Sequence, residues 1–409
     1  MKNQGFKLLI WTVLIITLER VIVKINNPVG LSMTALAFVL FVIHIITSAK
    51  YYSFKNIDSN SRTLIALLIV YSILIVVRGL FDIQDSQVSF FGYFTHPLLI
   101  TPYFLPFIAL YGFNCKNFLA IVKVSNILAI IFTIYAIISW KEIVLLNSIG
   151  LDHFAGMGRY EYSSAIYKFY AELTSTTAPF VLFILPDYIS KKYWRLAVLN
   201  IAVAFIIGII AGRRSSTFGL CLIFMTYYFL IYKNKAGGKI KMIIILLLTI
   251  LALYSSGLLD FFISKIDSES RGGVEENFYA DMNMTSLIYG RGAFGSYYDP
   301  GFEYVDGIGQ RTEIETGYLY LILKGGIIYL IIYLLVMLRA FYLGYFKSNN
   351  TFTKAFACMC IISCIELIPF GLPMMNMKFI ALWFGVGVCL NKRIRSLTNR
   401  EIKELLYNV

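Results

Sequence analysis

Two adjacent arginines, Arg213 and Arg214, stand between two long apolar segments, 196–212 and 216–232. The connection is too short to carry them away from a membrane surface, and neither has an acidic neighbour in the sequence. Guanidinium groups bind phosphate oxygens in a bidentate way and stay protonated. The pair is therefore a candidate anion site. The structural alternative is that it caps the end of the first helix and contacts lipid phosphates.

More cations lie in a polar, glycine-rich segment at 258–313: Lys265, Arg271, Arg291 and Arg311. Like charges held together repel each other, so such a cluster is better explained when an anion lies between them. Each one taken alone has the alternative of a solvated loop charge. Together with the adjacent pair they favour a doubly phosphorylated ligand, and the candidate diphosphate-binding residues are Arg213, Arg214, Arg271, Arg291 and Arg311.

Three carboxylates lie near the end of the same segment, just before the aromatic residues that begin the next apolar run. They are Asp306, Glu313 and Glu315. A carboxylate that is partly desolvated near a membrane interface gains affinity for a proton and can act as a general base. The alternative for Glu313 and Glu315 is structural, because acidic residues balance Arg311 and favour the first turn of a helix. Both interpretations stay open.

The glycines at 290–295 form the pattern G-x-G-x-x-G, which is typical of dinucleotide-binding turns. Such a turn follows a buried strand and opens a helix of a βαβ unit, and neither is predicted here. No His, Cys, Asp and Glu set has the spacing of a metal site. We therefore expect no nucleotide cofactor and no metal.

The composition indicates a membrane protein. Of 409 residues, 58% are hydrophobic and 14% are charged, whereas a soluble domain is about half apolar and a quarter charged. The formal charge of +13 would suit nucleic-acid binding only if the basic residues formed a soluble patch. They lie instead in short stretches between apolar runs, so nucleic acid is not expected as a partner.

Apolar runs long enough to cross a bilayer, about 20 residues each, recur along the chain. We predict an all-α polytopic membrane protein with about twelve spans. The tenth is long because Lys324-Gly325-Gly326 marks a break within it, with its first part at the membrane surface or dipping into it. The predicted spans are 6–23, 31–49, 63–81, 97–113, 118–139, 166–187, 196–212, 216–232, 241–257, 314–346, 354–370 and 377–391.

Basic residues are concentrated in alternate connections and in the tail 392–409, which predicts that these and both termini are cytoplasmic. The chain 1–409 then forms one integral membrane domain. Two long loops, 140–165 and 258–313, are extracytoplasmic. The cytoplasmic connections are short and contain neither a phosphate-binding loop nor a D-x-D pair, so any energy-rich substrate must be met in the membrane or outside it.

At this point the chain resembles the bacterial O-antigen polymerase and O-antigen ligase superfamily. The resemblance rests on three segments in order, over about 196–346. They are Ala211-Gly212-Arg213-Arg214-Ser215-Ser216, then Ser270-Arg271 with Tyr289-Gly290-Arg291-Gly292-Ala293-Phe294-Gly295, then Glu315-Thr316-Gly317-Tyr318-Leu319 leading to Lys324-Gly325-Gly326. Ligases usually have His where Glu315 stands, so the polymerase is the better fit.

The resemblance implies a metal-independent membrane glycosyltransferase with a GT-C-type bundle in the bacterial inner membrane, its active site facing outside. Its partners would be membrane lipid, undecaprenyl-diphosphate-linked oligosaccharide and a chain-length regulator. Arg213, Arg214 and Arg271, then Arg291 and Arg311, would offset the charge of the leaving lipid diphosphate, and Glu315 or Glu313 would orient or deprotonate the acceptor hydroxyl. Tyr297, Tyr298, Tyr304 and Tyr318 are candidates to stack on sugars, with an interfacial aromatic belt as the alternative.

Two other functions remain. A ligase would move a finished surface glycan, such as the O-antigen of lipopolysaccharide, onto a lipid core or protein. A flippase or other transporter of lipid-linked oligosaccharide would also suit twelve spans. The transporter is disfavoured because the charges gather in one large outer loop instead of at mid-membrane, where transport sites usually lie.

Overall fold

A computed structural model of the chain describes residues 4–25, 27–81, 97–138, 182, 184–210, 214–231, 272–303, 309–314, 316–368 and 374–407. These residues are mostly helical, in agreement with the all-α prediction. The predicted spans 166–187 and 241–257 lie largely or wholly outside the described residues, and so does the loop 140–165.

The helices follow the predicted apolar runs closely. In chain order the α-helices of the described residues are α1 (Gln4–Ile25), α2 (Asn27–Ser48), α3 (Ser59–Phe81), α4 (Cys115–Ile138), α5 (Lys191–Ile210), α6 (Arg214–Ile231), α7 (Gly272–Asp281), α8 (Met284–Tyr289), α9 (Gly317–Phe346), α10 (Thr351–Glu366), α11 (Met377–Leu390), α12 (Lys392–Ser396) and α13 (Asn399–Tyr407). Two short strands, β1 (Tyr297–Tyr298) and β2 (Gln310–Arg311), pair antiparallel.

Four described helices are long and apolar enough to cross a membrane: Pro28–Tyr51, Ser59–Gly79, Cys115–Ile134 and Gly317–Phe346. Shorter apolar helices occur at Leu98–Tyr111, Gly219–Leu230 and Met377–Leu390. Several apolar helices therefore support a membrane protein. The count of twelve spans and the GT-C arrangement stay predictions.

The segment predicted as a span at 97–113 forms a 3₁₀ helix, Pro97–Tyr111, instead of an α-helix. Pro102 and Pro106 lie inside it, and in an α-helix the ring of each would clash with the carbonyl four residues earlier. A 3₁₀ helix rises about 2.0 Å per residue, so these 15 residues extend about 30 Å. The stretched geometry gives a short apolar segment the length of the hydrocarbon core.

Large aliphatic side chains on several helices point away from the protein. Ile46 on α2 is 71% exposed, Val70 on α3 is 56% exposed and Ile138 on α4 is 74% exposed. Soluble proteins rarely expose broad apolar surfaces of this kind. If these faces contact lipid, no free energy is lost by exposing apolar surface to water.

One end of the bundle gathers the connections that charge bias assigns to the cytoplasm. The backbone N–H of Lys392 donates to the Asn56 carbonyl at 2.8 Å, and that of Asn349 donates to the Arg395 carbonyl at 2.9 Å. At the same end Arg339 pairs with Asp58 at 2.9 Å. Segments far apart in sequence therefore meet as the alternation of spans requires. The assignment of this end to the cytoplasm stays a prediction from charge.

The opposite end is covered by the described part of the large loop, which has a small core of its own. Phe278, Met282 and Tyr297 of the loop pack against Leu319 and Leu323 of α9. α9 changes direction at Gly326, which has φ 73° and ψ 179°, so the predicted break in the tenth span is confirmed. The part of α9 before the break belongs to the core of the loop, and the part after it runs down the bundle.

Candidate functional site

The glycine-rich segment 290–295 is bound to the break in α9 by backbone hydrogen bonds. The N–H of Arg291 donates to the Leu323 carbonyl at 2.7 Å, and the N–H of Gly292 donates to the Lys324 carbonyl at 2.9 Å. The break at Gly326 interrupts the helical ladder there, and these two carbonyls accept their bonds from the loop. We call this contact the glycine clasp, comprising residues 290–295 and 323–326.

The clasp requires glycine at its points of closest approach. Gly290 has φ 76°, and a Cβ there would overlap the backbone at Lys324 and Gly325. Gly326 has φ 73°, and a Cβ there would overlap the Ile288 carbonyl. Both positions therefore combine a left-handed backbone with a contact that admits no side chain.

The same segment also reaches the end of α3. A Cβ on Gly292, which has φ 79°, would overlap the backbone of Gly79, and the N–H of Ala293 donates to the Ile75 carbonyl at 3.1 Å. Arg78 adds a bond from Nη1 to the Tyr289 carbonyl at 3.1 Å. The G-x-G-x-x-G pattern thus joins the loop to two membrane helices, and this packing role accounts for the glycines.

A buried ammonium lies beside the clasp. Lys324 is only 3% exposed, its Nζ donates to the Gly295 carbonyl at 2.8 Å, and it lies 5.4 Å from the centre of the Tyr320 ring. A buried charge is costly unless it is hydrogen-bonded or paired. In the sequence, Lys324 is predicted only to mark the helix break. Its hydrogen bond to the Gly295 carbonyl gives it a second role, because this bond joins α9 to the end of the glycine-rich segment.

Arg291, a predicted diphosphate ligand, is bound within the loop. Its Nη1 contacts Asp281 Oδ2 at 2.5 Å and the Ser296 carbonyl at 2.7 Å, and its Nη2 contacts the Asp281 carbonyl at 2.6 Å. The carboxylate offsets the charge of the guanidinium, and two carbonyls accept bonds from two more of its N–H groups. In this conformation Arg291 joins the end of α7 to the glycine-rich segment.

Arg311, the other predicted diphosphate ligand with a described side chain, also has an aspartate partner. Its Nη1 contacts Asp299 Oδ2 at 3.1 Å, and its Nε donates to the Glu313 carbonyl at 2.9 Å. Asp299 also accepts a bond from Asn277 at 3.0 Å. The pair holds the β1–β2 hairpin to α7. The predicted base Glu313 is exposed on this hairpin side of the loop.

The described predicted stacking residues differ in accessibility. Tyr297 is 0% exposed and packs edge-on against Phe278, so its ring has no free face for a sugar. Tyr298 is 39% exposed, and its hydroxyl donates to Glu303, a hydrogen bond that raises the pKa of Tyr298. Tyr318 is half-buried between the loop core and the helix bundle. Tyr298 is the one of these three that keeps an exposed ring.

The remaining predicted site residues fall where side chains are not described. Arg214 begins α6, so its backbone is placed at the N-terminus of that helix. Predicted residues that lie outside the described residues are Arg213, Lys265, Arg271, Tyr304, Asp306 and Glu315. In the part of the chain that the structure describes, no group of three or more His, Cys, Asp and Glu is arranged to hold a metal ion.

An ion pair that the sequence analysis missed lies at the same end of the bundle. Lys378 Nζ contacts Glu366 Oε2 at 2.7 Å, with 19% and 11% of the two side chains exposed. The residues are twelve apart and belong to different helices, so no short-range spacing pointed to the pair. The available signal was two ionisable residues at the ends of apolar helices, where charges are rare and often functional.

Comparison of the chain with known protein families, with curated proteins and with solved structures finds no match.

Proposed function

We propose that the protein is a metal-independent membrane glycosyltransferase. It transfers a growing glycan from undecaprenyl diphosphate to a hydroxyl of the next lipid-linked repeat unit at the outer leaflet of the bacterial inner membrane. The product is a surface polysaccharide such as O-antigen or capsule. The active site is formed where the large loop meets the ends of α6 and α9.

The observation that best supports this proposal is the glycine clasp. Two of the three segments that resemble the polymerase and ligase superfamily are the glycine-rich segment and the Lys324-Gly325-Gly326 segment. They are bonded to each other through Arg291 N–H to Leu323 and Gly292 N–H to Lys324. Similarity of separate short segments arises easily by chance. Segments that contribute to one active site must lie together, and these two segments are in contact.

The ion pairs of the loop narrow the choice of diphosphate ligands. Arg291 and Arg311 are neutralised by Asp281 and Asp299, so they are better suited to shaping the loop. We therefore assign binding of the leaving diphosphate to Arg213, Arg214 and Arg271. Arg214 stands at the N-terminus of α6, where free N–H groups and the helix dipole also favour an anion. Glu315 or Glu313 would orient the acceptor hydroxyl.

The test is to incubate the purified protein with lipid-linked repeat units of its host, without nucleotide, and to resolve the products by size. A ladder of longer glycans with released lipid diphosphate is expected. If product forms only when a lipid core or protein acceptor is added, the protein is a ligase. If glycans cross reconstituted vesicles without covalent change, the protein is a transporter and the proposal is wrong.

A further inference from the structure

Glu366 and Lys378 each lie at the helix end that disfavours their charge. Glu366 is the last residue of α10, where the helix dipole repels negative charge. Lys378 is the second residue of α11, where the dipole repels positive charge. Each side chain therefore opposes the dipole of its own helix, and their contact at 2.7 Å offsets both. Such a local conflict is more common at functional sites than in scaffold positions.

The pair borders a cavity between α6, α10 and α11. Its volume is about 20 Å³, and its other lining residues are Ile223, Met359, Ile362, Ser363 and Leu382. This volume is enough for one water-sized group. Apart from Ser363 and the two charged side chains, the wall of this cavity is apolar.

The pair also lies between two segments of the proposed active site. A Cβ on Gly219 of α6 would lie 3.0 Å from Glu366 Oε1, and Gly219 is five residues after Arg214, about 7.5 Å along the helix axis. On the other side, the Tyr318 N–H donates to the Leu367 carbonyl at 3.2 Å. Tyr318 follows Glu315 by three residues. The Glu366 carboxylate is therefore close to both segments.

We propose that Glu366 and Lys378 act together in the transfer reaction, as its general base and as a cation that binds the leaving group, an inference that rests on the proposed function. Lys378 binds an oxygen of the donor's diphosphate, and Glu366 accepts the proton of the acceptor hydroxyl. The acceptor oxygen forms a bond to the anomeric carbon. The bond from that carbon to the diphosphate oxygen breaks, and its electron pair leaves with the lipid diphosphate.

The two roles are coupled by exchange of partners. In the unliganded protein the ammonium of Lys378 holds the Glu366 carboxylate at 2.7 Å. A diphosphate oxygen that binds Lys378 takes the place of the carboxylate and leaves it free to contact the acceptor hydroxyl. Glu366 thus becomes active only when the donor is bound. This arrangement protects the lipid-linked glycan from transfer before both substrates are in place.

The alternative is that the pair only holds α10 to α11. A charge swap, Glu366→Lys with Lys378→Glu, separates the two roles because it keeps an ion pair and moves the carboxylate to the other helix. We expect the swapped protein to keep or raise its Tm in detergent, because each charge then suits the dipole of its own helix. We also expect it to lose turnover at least about 100-fold, as removal of a general base does. A swapped protein with near wild-type turnover would overturn the inference.

A second variant covers the case in which the swapped protein does not fold. Glu366→Gln keeps the shape of the side chain, and we expect its kcat to fall about 100-fold with little change in KM for the lipid-linked repeat unit. A kcat within about threefold of the wild type would also overturn the inference. The matched control swaps the exposed Arg400–Glu404 pair, Arg400→Glu with Glu404→Arg, and should change neither Tm nor turnover.

The wild-type protein separates failure of the inference from failure of the proposed function. A wild-type ladder together with an active charge swap rejects the role of Glu366 and leaves the glycosyltransferase intact. A folded wild-type protein that forms no product with any acceptor rejects the proposed function and this inference with it.

Discussion

The Nζ atom of Lys324 lies 2.8 Å from the carbonyl oxygen of Gly295, so a lysine at the break in α9 is bonded to the last glycine of the glycine-rich loop segment. The two residues are 29 positions apart. Their contact closes the glycine clasp and fixes the loop over the end of the bundle. The proposed active site depends on this attachment, because its cations and carboxylates are divided between the loop and the helices.

Replacing Lys324 by Met should loosen the loop. Met fills a similar volume but leaves the Gly295 carbonyl without this donor, and an unsatisfied buried acceptor costs about 1–3 kcal/mol. We expect faster hydrogen exchange and faster proteolysis within 284–296, with the rest of the bundle unaffected. The exposed Lys55→Met is the control. Equal protection of the loop in both variants would show that the lysine does not hold the clasp.

Replacing Gly326 by Ala should destabilise the protein more than replacing Gly112 by Ala. Both glycines have positive φ, 73° and 69°, but a Cβ on Gly326 would overlap the Ile288 carbonyl, whereas Gly112 has no atom within 4 Å of the same position. Gly326 also has ψ 179°, a backbone region that is essentially restricted to glycine, and such strain costs about 1–3 kcal/mol. Thermal unfolding of both variants measures the combined cost of strain and overlap at Gly326, and an equal drop in Tm would contradict the described geometry of the break.

Arg291 and Arg214 should respond differently to Ala substitution. Arg291→Ala removes the partner of Asp281 and should lower Tm, with a coupling energy to Asp281→Ala of about 0.5–3 kcal/mol in a double-mutant cycle. Arg214→Ala should leave Tm near the wild type and abolish chain extension. Full activity of Arg214→Ala would reject Arg214 as a diphosphate ligand, and zero coupling would reject the structural role of Arg291.

Stability should depend on pH through Asp58. Burial raises the pKa of Asp58, but hydrogen bonds from Ser61 and Arg339 outweigh it and hold that pKa below its ordinary value. A depressed folded-state pKa stabilises the protein above the unfolded pKa, about 4, and this stabilisation is lost as pH falls through the folded value. The Tm difference between wild type and Asp58→Asn should therefore shrink below about pH 4. A difference that stays constant down to pH 3 would contradict the pairing.

The helices were predictable because apolar runs of membrane length leave few alternatives. The break in α9 was also predictable, since Gly325-Gly326 beside a lysine interrupts such a run. The 3₁₀ form of Pro97–Tyr111 was not predicted, although Pro102 and Pro106, whose rings disfavour a regular α-helix, were the available signal. Local sequence therefore specified where the helices lie better than it specified their geometry.

The partners of the loop arginines were not predictable from spacing. Arg291 pairs with Asp281 and Arg311 with Asp299, at separations of ten and twelve residues set by the folded loop. Neither separation matches the repeat of a helix or of a strand. Glu366 and Lys378 meet across a hairpin of two helices for the same reason. Charge counting alone therefore did not reveal that these two loop arginines have carboxylate partners.

We propose that the lipid diphosphate leaves from the growing chain and that the acceptor keeps its own. The direct test mixes donor units labelled in the lipid with acceptor units labelled in the sugar, both bound to undecaprenyl diphosphate, and follows both labels without added nucleotide. We expect labelled lipid diphosphate to be released in equal amount to the new glycosidic bonds, with the product still on the acceptor's lipid. Folded protein that forms no bond between the two units, or that releases no lipid diphosphate, would contradict it.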